Sequence, residues 1–102
     1  MSNALEDAAS LLDLMSEYHL LEKVRREQLR RAIEARGAEH PDVGLALNNM
    51  GMLLKAMGRL EDAEPLLRES LEIERKAFGP EHPKVQKAMK ALEKIRAKLN
   101  AA

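Results

Sequence analysis

Between residues 43 and 57 the apolar positions fall at 43, 46, 47, 50, 53, 54 and 57. Spacings of three and four place them on one face of a helix. After Gly58-Arg59 a second stripe of the same period runs through Leu60, Ala63, Leu66, Leu67, Ser70, Leu71, Glu74 and Ala77. Gly58 stands where a helix would end in a left-handed cap, and Gly37 and Gly79 are placed to close the helices before them. Pro41 and Pro83 follow shortly after, at positions where a missing N–H is harmless because the first turn of a helix leaves it unpaired. Pro65 is expected in a first turn for the same reason. Five helices are predicted, near 4–16, 18–36, 41–57, 60–77 and 82–99. Gly51 lies in the middle of the third, where glycine costs about 1 kcal/mol against alanine, and this implies a close approach of a neighbouring helix.

The pattern repeats. Residues 37 to 50 read GAEHPDVGLALNNM and residues 79 to 92 read GPEHPKVQKAMKAL. An offset of 42 pairs Gly37 with Gly79, Glu39 with Glu81, His40 with His82, Pro41 with Pro83, Val43 with Val85 and Ala46 with Ala88. Carried backwards, the same offset sets Leu5 on Leu47, Leu11 on Leu53, Leu12 on Leu54, Glu22 on Glu64, Arg26 on Arg68 and Leu29 on Leu71. The chain thus reads as a single domain over 1–102. It contains a degenerate first unit (about 1–36), a second unit (about 37–78) and a capping helix (about 79–99). Helix pairs of this length cannot bury both faces alone and stack on their neighbours. The first helix of each unit is expected on the inner side of the curve.

Composition narrows the function classes. The chain has 17 Lys+Arg and 17 Asp+Glu, hence no net charge, and no cysteine. The charge balance argues against nucleic-acid binding, and the missing thiols exclude disulfides and Cys nucleophiles. No run of about 20 apolar residues suggests a membrane span, so a cytoplasmic protein without a membrane partner is expected. With only Tyr18 and Phe78 aromatic, the core must be aliphatic. Charge is unevenly distributed: residues 1–22 carry five acids and no base, residues 23–36 six bases and two acids, and residues 82–102 six bases and one acid.

The segment GAEHPDVGLALNNMGMLLKAMGRLEDAEPLLRESLEIERKAFGPEHPKV, residues 37 to 85, resembles tetratricopeptide repeats. Specifically, it is similar to the 42-residue variety of kinesin light chains and many bacterial proteins. The resemblance implies an all-α superhelix of antiparallel helix pairs and a non-catalytic protein–protein interaction module, which holds a peptide or protein segment in the concave groove of the first helices. In that family, asparagines of the LNN segment reach the backbone of an extended peptide, which would give Asn48 and Asn49 this role. The first unit and the last helix have Glu6-Asp7 and Lys90-Ala91 there, so no ladder of asparagines runs along the groove.

Met52 and Lys55 continue the line of Asn48 at steps of four and three. Glu6, Ser10 and Asp13 would contribute from the first helix, and Lys87, Lys90 and Lys94 from the last, favouring a ligand with one basic and one acidic end. The alternative is a structural unit that forms homo-oligomers through its acidic N-terminal and basic C-terminal helices. His40 and His82, one repeat apart, are expected to share a local capping or loop-filling task. No spacing suited to a metal, cofactor or catalytic constellation accompanies them, and the chain is read as not an enzyme.

Overall fold

The computed structural model describes residues 4–101, with side chains from residue 13 onward. It contains four helices among the described residues: α1 (Ala4–Arg36), α2 (Pro41–Ala56), α3 (Leu60–Phe78) and α4 (Pro83–Ala101). Each reversal of the chain uses a glycine with positive φ, which a residue with a Cβ adopts only under strain. These are Gly37 at 84°, Gly58 at 80° and Gly79 at 89°. The amide of Gly58 donates to the Lys55 carbonyl and that of Arg59 to the Leu54 carbonyl, at 3.0 and 2.8 Å, satisfying groups that the end of α2 would leave open.

The turns at 37–40 and 79–82 are copies of each other. The amides of His40 and His82 donate to the Gly37 and Gly79 carbonyls, at 3.2 and 3.3 Å. The histidine ring then caps the following helix: Nδ1 of His40 accepts from the Asp42 amide at 3.0 Å, and Nδ1 of His82 from the Lys84 amide at 3.1 Å. The expected local task of the two histidines is therefore capping.

The predicted five helices are four, because the first two are one. At position 16, one repeat before Gly58, the chain has Ser16, followed by Glu17, and nothing there favours positive φ. The fold-back is also unrewarded. Leu67 and Ile73, which α3 buries against α2, correspond to Arg25 and Arg31 in the first unit. A helix of 33 residues at about 1.5 Å per residue is about 50 Å long, close to the 51 Å length of the molecule. The second half of α1 nevertheless does the work of an outer helix: Leu29 and Ala32 pack on Val43, Leu47 and Ile73.

The larger core joins α2, α3 and α4 through Met50, Leu54, Ala63, Leu67, Leu71, Val85, Leu92 and Ile95, all buried. At about 1.5–3 kcal/mol for each large aliphatic side chain removed from water, this cluster is the main stabilising element. Its tightest point is Gly51. A Cβ there would stand 2.6 Å from Leu67 Cδ2 and 2.7 Å from Cγ, which confirms the close approach expected from the sequence. Pro65 lies deeper in α3 than expected, five residues past its first residue, so one intrahelical bond to the Glu61 carbonyl is lost. Both residues are exposed, and that carbonyl can bond to water.

An ionic node recurs with the repeat. Glu22 accepts from Arg26 on its own helix and from Arg59, each at 3.0 Å. Glu64 pairs with Arg68 on its own helix at 3.6 Å and with Arg96 of α4 at 3.1 Å. The hydrogen bonds from Arg26 and Arg59, with their positive charges, outweigh desolvation and hold the Glu22 carboxyl below the ordinary value of 4.5.

Gly51→Ala is expected to lower stability by about 1–2 kcal/mol in urea unfolding, since overpacking against Leu67 outweighs the gain in helix propensity. Gly44→Ala, whose Cβ would meet Ile73 Cγ2 at 3.1 Å, should cost less. For Glu22 the depressed pKa means that its contribution is complete above 4.5 and lost as pH falls through the lowered value. The difference in urea midpoint between wild type and Glu22→Gln should therefore hold from about pH 7 to 5 and shrink as pH falls further through the lowered carboxyl value.

Candidate functional site

On α2 the residues 100° apart around the axis have separate duties. Val43, Leu47, Met50 and Leu54 face the cores, while Gly44 and Gly51 lie against α3. This leaves Leu45, Asn48 and Met52, spaced by three and four, on a strip facing α4. Across from it, Lys84, Lys87, Ala88 and Ala91 line up with the same spacing. Between the two strips, Glu74 of α3 reaches in from the outer layer, and together these eight residues line a groove of about 340 Å³. Small side chains at 88 and 91 keep it open. Leu45 and Met52 supply exposed apolar surface, and the Asn48 amide offers both a donor and an acceptor.

Glu74 is the residue for which folding offers no explanation. Half-buried, it makes no ion pair with the described residues, and burial raises its carboxyl pKa more than the charges of Lys84 and His82 lower it. Lys84 is held nearby by a cation–π contact, its Nζ 5.7 Å from the Phe78 ring centroid. The His82 ring is tilted against Phe78 as well, the ring centroids 4.9 Å apart. The groove thus combines a partly desolvated carboxylate with two ammonium groups, an amide and an apolar strip. This suits a ligand with backbone amides, an apolar side chain and charge of both signs.

Three sequence-predicted residues, Asn48, Met52 and Lys87, come together here. Asn49, a step of 100° further round α2, and Lys55 are half-buried outside the lining, as are the exposed Lys90 and Lys94 of α4. Asp13 is exposed on the opening half of α1 and contributes nothing to the groove. Glu6 and Ser10 lie on α1, but their side chains are outside the described residues. The separate first helix expected to build one end of the groove is instead part of the continuous α1, and none of the side chains of α1 among the described residues lines the groove. The missed residues carried a readable signal. Glu74 is the one acid in the otherwise apolar or small stripe of α3, and Leu45 and Lys84 precede Asn48 and Lys87 by three.

A carboxyl with a raised pKa stabilises the fold only below its ordinary value, and the benefit is lost as pH rises through the raised one. Glu74→Gln is therefore expected to raise the melting temperature at neutral pH, with the gain disappearing below about pH 4.

The comparisons with known proteins agree with this layout. Among the described residues no helix is long and apolar enough to cross a membrane, and no cluster of three potential metal ligands exists. The chain matches no curated protein. Residues 43–84 match the family model described as tetratricopeptide repeat, which covers α2, α3 and the turn that leads into α4. Over this segment, less than half of the chain, the sequence is similar to a tetratricopeptide repeat.

Proposed function

We propose that the α2–α4 groove holds an extended peptide segment of a partner protein. The observation that carries this reading is the half-buried Glu74, without an ion-pair partner among the described residues, which shares the lining of an open apolar groove with Asn48 and gives a peptide backbone and a basic side chain something to bind. Lys84 and Lys87 would receive an acidic side chain, and Leu45 and Met52 an apolar one. Asn48 would act as the peptide-reading asparagine implied by the resemblance to kinesin light chains. A cytoplasmic setting accords with a protein partner of this kind. The bipolar ligand expected from the sequence is kept, but its basic end now meets Glu74 rather than the acids of the first helix.

Selection from a phage-displayed library of random peptides, followed by fluorescence polarisation with the selected sequences, tests the groove. Asn48→Ala combined with Met52→Ala should weaken binding by about tenfold or more, equivalent to about 1.4 kcal/mol, with the helical circular dichroism unchanged. Lys90→Ala, outside the groove, should bind as wild type. Equal affinity for the double variant would refute this reading.

A further inference from the structure

At the end of the groove next to the 79–82 turn, three side chains meet that the turn itself does not require. Phe78 lies one turn after Glu74 on α3, a spacing that sets two side chains on one face of a helix. Its ring is 43% exposed and takes part in neither core. Lys84 joins the two, lining the groove together with Glu74 and holding its Nζ 5.7 Å from the Phe78 ring centroid.

The first unit serves as an internal control. One repeat earlier the same three positions are Ala32, Arg36 and Asp42. There Arg36 Nε and Asp42 Oδ2 form an ion pair at 3.5 Å, and Ala32 packs on Val43, Leu47 and Ile73. A turn of this shape is thus built without an aromatic ring and without a carboxylate at the inner position. Phe78 and Glu74 are additions of the second unit, and they stand at the mouth of its groove.

The resident cation satisfies only one of them. Lys84 lies over the ring, yet it makes no ion pair with Glu74 among the described residues. An ammonium is a compact, strongly hydrated point charge. A guanidinium is flat and more weakly hydrated, so its face can lie on an aromatic ring while its N–H edge donates two bonds to a carboxylate. The site next to Phe78 already accepts a cation, and the long flexible stem of Lys84 lets that cation be replaced.

We infer that Glu74 and Phe78 form a receptor for an arginine side chain of the partner segment, whose guanidinium takes the place of the Lys84 ammonium on the ring and donates to the Glu74 carboxylate. This rests on the peptide-binding reading of the groove and adds the identity of the basic residue. Lys84 is the resident competitor, turned out toward solvent when arginine enters.

Titration of the full isotope-labelled chain with N-acetyl-arginine N-methylamide, followed by NMR at constant ionic strength, tests this without a partner peptide. Phe78 is the single phenylalanine of the chain, so its ring resonances are readily identified. The expected result is a saturable shift of that ring and of the Glu74 and Lys84 amides at millimolar probe, with a nuclear Overhauser contact between the ring and the δ-methylene of the probe. The lysine analogue should bind about threefold more weakly or worse, and the uncharged citrulline analogue should not bind. Glu74→Gln and Phe78→Leu should each weaken the arginine probe by about fivefold or more, whereas Lys84→Met should strengthen it. Unsaturable shifts spread over the surface acids, equal binding of the lysine and arginine analogues, or a Lys84→Met variant that binds no tighter than wild type would each overturn the inference. Should a variant fail to fold, the Overhauser contact and the analogue series on the wild-type chain decide. The two readings fail separately. An arginine site without any groove-dependent peptide refutes the proposed function alone, and groove-dependent peptides without an arginine site refute this inference alone.

Discussion

A polypeptide made of helices this close in length can pack as a repeat only where it can turn back, and turning back within three or four residues demands one residue at positive φ. Gly37, Gly58 and Gly79 meet that demand, each at φ between 80° and 89°. Everything downstream follows from their positions: α2 is laid against α3, α4 is brought over both, and a groove is left between the first and last of these. At the fourth site that the repeat would need, Ser16 takes the place of glycine and the chain continues straight. One side chain's preference thus separates a closed helix pair from a 33-residue rod.

The electrostatics divide along the same lines. Glu22 and Glu64, one repeat apart, each bind an arginine one turn away on the same helix and a second from later in the chain, Arg59 of the α2–α3 turn and Arg96 of α4, tying layers together. Their burial is compensated by charge-assisted hydrogen bonds. Glu74 occupies a comparably shielded place with no such partner among the described residues. The contrast separates acids that tie the layers together from one that takes no such part.

Much of the architecture was legible in the residues, because it rests on local rules. The 3.6 period, the three turn glycines, the prolines at first turns, the paired histidines and the close approach at Gly51 all act within a few residues or on one helix face. Two things were not legible. The straightness of α1 depends on what replaces glycine and on whether Arg25 and Arg31 can stand in for Leu67 and Ile73, a comparison between units rather than a motif in one. The groove mixed correct and incorrect residues because spacing along α2 and α4 fixes a line but not which line faces the other helix. Asn48 and Met52 fell inside it and Asn49 and Lys55 outside, a difference of a fraction of a turn. Glu74 was visible as an acid in an apolar stripe, yet its place in the groove depended on how far α3 reaches between its neighbours.

The positions on α4 that correspond to Gly44 and Gly51 are Gln86 and Glu93, both exposed, and Gln86 is turned aside to bond the Pro80 carbonyl at 2.7 Å. A helix could not settle on this face as α3 settles on α2, because bulk and charge now stand where two hydrogen atoms stood. The outer face of α4 therefore lacks the close-approach surface by which α2 seats α3, and the repeat pattern continues in sequence past the point where its packing chemistry stops.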